Sequence, residues 1–333
     1  MTPKSLETHR SKADRFRRGS RTFSLAALFF SRRQLQATRE FYSFCRIVDD
    51  AIDEAPTAEI ARQRAEALLQ AIDRNETTSD EPLNVALESW RALEDQFQIP
   101  RTYARELILG QLMDAQGFRP ATQAELDLYC YRVAGVVGLA MCHITGILKA
   151  PILKAPENSA ARNRQSQTSE IEILSMAAAC GRALQLTNIA RDLFEDHRRG
   201  RNYFPQDLSP QINTNFDPEL AYQQAQQLLS WADESYAIAR KGWWSLPFRP
   251  RLAVAIAQSL YREIGQQILR QGSAATLRRQ IVPRHRQITM AIGLSIKLVV
   301  NELWSRLSRP AQTKLHIVRP TSVLDFTTQI TGR

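Results

Sequence analysis

Apolar residues recur at helical spacing along almost the whole of this 333-residue chain, and no stretch alternates apolar and polar residues as a half-buried strand does. That periodicity restricts the fold to packed α-helices. Helices are expected at about 35–54, 58–74, 82–97, 101–115, 123–148, 168–197, 218–242, 249–271 and 286–307. Pro56, Pro82, Pro100, Pro120, Pro151 and Pro156 punctuate the first half, and a polar, proline-marked loop runs from Pro205 to Pro218. No glycine-rich linker divides the chain. The expected fold is all-α, one large bundle over residues 18–306, preceded by a basic segment over 1–17 and followed by a mobile tail over 307–333. With 44% of residues hydrophobic, a sizeable core is available.

The formal net charge of +10 calls for an anionic partner: nucleic acid, an acidic membrane surface or a phosphorylated substrate. No basic-aromatic interleaving or nucleic-acid motif accompanies the charge, so no nucleic-acid partner is expected. Much of the excess lies near the ends, at Lys4, Arg10, Lys12, Arg15, Arg17 and Arg18 and again at Arg278, Arg279, Arg284 and Arg286. Cys45, Cys130, Cys142 and Cys180 are scattered without a CxxC pair, which reads as buried thiols in a reducing cytosol. The N-terminus lacks the apolar core of a signal peptide. The longest apolar stretch, Val133 to Leu148, is short for a bilayer and contains His143, so no transmembrane helix is expected.

Two acidic clusters share one internal spacing. Asp49 and Asp53 lie four residues apart, as do Asp192 and Asp196, each pair within a segment read as helix. That spacing puts both carboxylates of a pair on one helical face, one turn apart. Such pairs are common on solvated faces, but here the lead-ins, Phe41 to Val48 and Ala183 to Arg191, read as buried. A buried carboxylate needs a partner. Arg46 and Arg191 are one candidate set. A hard divalent cation is the other, since Mg²⁺ bridges one or two protein carboxylates to a substrate's phosphates. The second option points to an enzyme that binds diphosphates through Mg²⁺, or Mn²⁺ in its place.

Four segments then resemble the squalene/phytoene synthase family, the head-to-head prenyl synthases. They are Ser20-Arg21-Thr22-Phe23, Phe44 to Asp53, Tyr129-Cys130-Tyr131-Arg132-Val133-Ala134-Gly135-Val136-Val137-Gly138, and Gln185 to Asp192 continuing through Glu195-Asp196 to Gly200-Arg201-Asn202-Tyr203-Phe204-Pro205. The Tyr-Cys-Tyr and Gln-Leu-Thr-Asn-Ile segments look closest to bacterial phytoene synthases. The resemblance implies an isoprenoid-synthase bundle around a central cavity. It also implies a reaction in which two prenyl diphosphates join through their head carbons. One diphosphate ionises and the allylic cation is captured by the second substrate's double bond, giving a cyclopropylcarbinyl diphosphate. That intermediate ionises, rearranges and loses a proton.

By the same resemblance Asp49, Asp53, Asp192 and Asp196, with Asn188, hold the metal, and these four aspartates and Tyr129 are catalytic. Ser20, Thr22, Arg46, Gln185, Arg191, Arg201, Tyr203 and Tyr261 join Asn188 in binding diphosphate. Arg278 and Arg279 stand where one further phosphate-binding arginine is expected, and Arg279 is chosen here. Gly135 and Gly138 suit either an apolar cavity wall or close helix packing. Ala26 and Ala27, one turn from Phe23, leave room for a long chain, which favours two twenty-carbon geranylgeranyl diphosphates and phytoene as product. The alternative is presqualene diphosphate, dehydrosqualene or squalene from farnesyl diphosphate, and a non-catalytic helical assembly protein is a third class. No NADPH is expected for the phytoene reading. The amphiphilic substrates suggest a cytoplasmic enzyme touching anionic membrane peripherally, with downstream carotenoid enzymes receiving the product.

Overall fold

The computed structural model describes residues 27–148, 170–209 and 215–307. Ten α-helices lie in these stretches: α1 Arg32–Asp53, α2 Ala58–Arg74, α3 Glu81–Phe97, α4 Arg101–Ala115, α5 Gln123–Cys130, α6 Val136–Thr145, α7 Glu170–Arg198, α8 Pro218–Lys241, α9 Phe248–Gln271 and α10 Arg284–Leu307. No strand occurs among the described residues. Residues 1–295 form one unit. Residues 296–333 form another, described only over 296–307, the last turns of α10.

Local chemistry sets the starts of the helices. Ser31 caps α1 in a reciprocal box: Gln34 N donates to Ser31 Oγ at 3.3 Å and Ser31 N donates to Gln34 Oε1 at 3.1 Å. This starts α1 three residues earlier than the periodicity suggests. Thr57 caps α2, Asp80 caps α3, and Asp217 caps α8 with Pro218 in its first turn. The single helix expected over 123–148 is instead two helices joined by a π turn, Tyr131–Gly135, and it ends at Gly146 with φ +78°. By length and composition Gln123–Thr145 is apolar enough to cross a membrane, yet half of it is buried within the fold.

Two apolar clusters organise the large unit. The first gathers α1 to α4 and α6 around Phe44, Leu68, Leu87, Trp90, Leu93 and Ile108. The second gathers α5, α7, α8 and α9 around Leu186, Ala225, Leu228, Tyr236 and Ile268. The α5–π–α6 rod contributes its N-terminal end to the second cluster and its C-terminal end to the first. It lies against α7 very closely: a Cβ on Gly138 would come 2.4 Å from Ala177 O, and one on Gly181 would come 2.2 Å from Ala134 O. Close packing is thus the observed use of Gly138. The thiols of Cys130 and Cys142 are buried and those of Cys45 and Cys180 half-buried, all unbridged.

Candidate active site

On α1 the buried stripe is Ala37, Phe41, Phe44, Val48 and Ile52. Asp49 and Asp53 each follow a member of that stripe, so they stand at its edge, Asp49 half-buried and Asp53 more exposed. On α7, Gln185, Asn188, Asp192 and Asp196 recur at three- and four-residue intervals and share one face. The two faces are linked directly. Arg201, just beyond α7, forks onto Asp53 of α1, with Nη2 at 2.8 Å from Oδ1 and Nη1 at 3.3 Å from Oδ2.

Arginines also pair with Asp49 and Asp192. Arg46 reaches Asp49 at 2.7 Å and Asp50 at 2.6 Å. Arg191 forks onto its neighbour Asp192, with Nε 2.8 Å from Oδ1 and Nη2 on Oδ2. Arg279 approaches the same carboxylate, Nε lying 3.4 Å from Asp192 Oδ1, and lies 3.7 Å from Glu195. Burial, then the charge of Asp53, pushes Asp49 up to about 6. Burial, then Asp192, pushes Asp196 up to about 7. Like charges at short range in a partly dry site oppose ionisation.

Asp114, in the last turn of α4, is a site residue that the sequence reading missed. Its carboxylate accepts the hydroxyls of Tyr129 at 2.9 Å and Tyr203 at 2.6 Å. The rings of Tyr129 and Tyr203 stack at 4.9 Å, and Phe118 stacks on Tyr129 at 5.4 Å. Asp114 perturbs both Asp49 and Asp196, so it stands where the two acidic faces converge. The signal available in sequence was a lone aspartate in the run Leu112-Met113-Asp114-Ala115, but it has no acidic partner at helical spacing. Burial, and to a lesser degree the nearby Tyr261 of α9, pushes the Tyr42 phenol of α1 up, and Tyr261 raises Arg191 as well. Ser20, Thr22, Phe23 and Ala26 lie outside the described residues.

The donor set suits a hard cation. Asp49, Asp53, Asp192, Asp196 and Asn188 offer only oxygen ligands and side-chain amide. Burial keeps the nearby Cys45 thiol protonated, and with it any thiolate ligand absent. Asn188 Nδ2 donates to Gln185 Oε1 at 3.3 Å, while Asn188 Oδ1 is buried without a hydrogen-bond partner among the described residues. A buried carbonyl oxygen left unpaired beside Asp192 is the feature that a cation would satisfy. No three His, Cys, Asp or Glu side chains among the described residues converge on one point. The set therefore suits cations that keep most of their coordination for phosphate and water. Beside it, a half-open cleft of about 320 Å³ is lined by Asp196, His197, Arg201, Tyr203 and Phe216.

An all-α bundle with two facing oxygen-donor helices and a fringe of arginines defines a class of enzyme that handles prenyl diphosphates. Residues 16–287 match the squalene/phytoene synthase family, and the chain belongs to that family. It is 30% identical over 309 residues to a 15-cis-phytoene synthase of Enterobacter agglomerans, covering 88% of this chain and 97% of that one. It is 32% identical over 273 residues to a 15-cis-phytoene synthase of Paracoccus sp., covering 77% and 81%. Among solved structures, a dehydrosqualene synthase in complex with ligand superposes with TM-score 0.68 at 24% identity, covering 89% of this chain and 98% of that one. The squalene synthase HpnC from Alicyclobacillus acidocaldarius superposes with TM-score 0.61 at 22% identity, covering 81% and 97%. Those two likenesses establish the fold.

Proposed function

We propose that this chain condenses two geranylgeranyl diphosphates head to head, giving phytoene through a cyclopropylcarbinyl diphosphate. The observation that carries the reading is the meeting of two acid-bearing faces, α1 and α7, joined by the Arg201–Asp53 fork. The similarity to phytoene synthases along most of the chain supports the choice of product.

Asp49 and Asp53 on one side, and Asn188, Asp192 and Asp196 on the other, would hold Mg²⁺, or Mn²⁺ in its place. When bound, the ion supplies Lewis-acid neutralisation of the departing diphosphate oxygens. The chain's own residues do the rest. Arg46, Arg191, Arg201 and Arg279 hold the carboxylates in place and present fork-shaped donors to phosphate oxygens in the same region. Gln185 holds Asn188 by its amide, and Tyr261 lines the site from α9. By the family resemblance Ser20 and Thr22 would add diphosphate contacts; both lie outside the described residues.

The test is product identification by mass spectrometry after incubation with geranylgeranyl diphosphate and, separately, farnesyl diphosphate, with Mg²⁺ and without NADPH. A forty-carbon hydrocarbon is expected from the first. A thirty-carbon product alone overturns the reading in favour of a farnesyl-using synthase, and no condensation at all favours an assembly role.

The enzyme also contacts anionic membrane peripherally. Within residues 296–307, Ile296, Val300, Leu303 and Trp304 are exposed. Residues 296–333 carry six Lys and Arg against two Asp and Glu. Apolar side chains beside excess basic charge are what an interfacial segment needs.

A further inference from the structure

We propose that Asp114 is a positioning residue that holds Tyr129 and Tyr203 as paired hydrogen-bond acceptors within the proposed active site. The inference rests on the proposed function for its reaction but on geometry for its parts. A phenol has one proton to donate. Here both protons go to one carboxylate: Tyr129 OH to Asp114 Oδ2 at 2.9 Å and Tyr203 OH to Asp114 Oδ1 at 2.6 Å. Both oxygens of Asp114 are thereby used. Neither phenol keeps a proton for a diphosphate oxygen, so each presents only lone pairs and a negative dipole end. That is the polarity that favours positive charge on carbon.

The surrounding packing holds this arrangement from three separate elements. Asp114 belongs to α4, Tyr129 to α5, and Tyr203 to the segment after α7. The rings are nearly parallel, at 20° and 4.9 Å, and Phe118 closes the outer face of Tyr129 at 24° and 5.4 Å. The seating of α4 against the π turn is tight: a Cβ on Gly110 would come 2.7 Å from Val133 Cγ1. Arg132 Nε donates to Glu106 Oε2 at 3.0 Å across the same contact. Tyr129 is 4% and Tyr203 5% exposed, so water does not compete for these bonds.

The substitution Asp114→Asn keeps shape and one acceptor but replaces the other with a donor, which reverses one of the two bonds. The expected result is a fall in kcat of about 100-fold or more, in the range found when one oriented dipole is lost from a charge-stabilising site. KM for geranylgeranyl diphosphate should stay within about twofold, because the phosphate contacts are elsewhere. Adding Asp114→Asn to a Tyr129→Phe, Tyr203→Phe background should slow turnover no further, since the carboxylate acts through the two phenols. Multiplying effects, or an unchanged kcat for Asp114→Asn, overturn the proposal.

A second measurement needs no turnover. Fluorine NMR of the full chain with 3-fluorotyrosine at position 203 should show a resonance that moves in Asp114→Asn, while 3-fluorotyrosine at position 222 stays fixed. Tyr222 instead donates its hydroxyl to Leu269 O. An unmoved resonance at 203 overturns the proposal whatever the substrate. If the unsubstituted protein makes no condensation product while the resonance at 203 moves as expected, the functional reading falls and the positioning role stands.

Discussion

Asp196 and Asp49 show at the residue scale why the proposed site would favour a cation. Their folded pKa values, about 7 and about 6, lie above the ordinary 3.8. Between those values the native chain holds protons that the unfolded chain has released. Their contribution to stability is complete below pH 4 and is lost as pH rises through 6 and 7. A divalent cation removes the loss by neutralising the ionised pair. Mg²⁺ with inorganic diphosphate should therefore raise Tm more at pH 8 than at pH 5.5, measured by thermal unfolding at equal ligand concentration. In Asp196→Asn the difference between the two pH values should shrink, and turnover should fall about 100-fold or more. An equal Tm shift at both pH values would remove these carboxylates from the metal site. The paired aspartates were legible in sequence because helical spacing alone places them on one face. Asp114 was not, because its partners, Tyr129 and Tyr203, come from other parts of the chain and only tertiary packing brings them to one carboxylate.

Among the elements, α7 carries the heaviest constraint. It packs against α5, the π turn, α6, α8 and α9 while keeping Gln185, Asn188, Asp192 and Asp196 on one face. Helix positions could be read from periodicity to within a few residues, because an apolar stripe such as Ala37, Phe41, Phe44, Val48 and Ile52 records which face is buried. The π turn could not, since no residue pattern in the sequence marks it. Gly181 meets the turn directly, with Ala134 O in the space a methyl group would take. A backbone carbonyl cannot swing aside as a side chain does. Gly181→Ala should therefore destabilise by about 3 kcal/mol, as overpacking at a rigid contact does, and it should slow turnover by pushing α7 from the α5–π–α6 rod. Urea unfolding and steady-state kinetics measure both. Gly293, which has open space around it, is the control: a Cβ there meets nothing within 4 Å.

For the whole molecule, charge and greasiness converge on one prediction. The net charge of +10 exceeds what a diphosphate site needs, and residues 296–333 hold a net excess of four basic residues together with the exposed Trp304. A substrate with a charged head and a twenty-carbon tail partitions into bilayers, so an enzyme that waits at the lipid surface meets it at high local concentration. If attraction to anionic lipid supplies the binding, it must weaken as salt shortens the Debye length from about 30 Å at 0.01 M to about 3 Å at 1 M. If apolar insertion supplies it, salt changes little and Trp304 matters more. On the proposed peripheral contact both would contribute, on different terms. Sedimentation with vesicles containing phosphatidylserine should show most of the protein bound in low salt and most of it released in about 0.5 M salt. Trp304→Ala should lower the bound fraction at each salt concentration without changing the steepness of release. Neutral vesicles should capture little. Binding that ignores both salt and lipid charge would rule out the electrostatic contact, and release unaffected by Trp304→Ala would confine the surface to the basic residues alone.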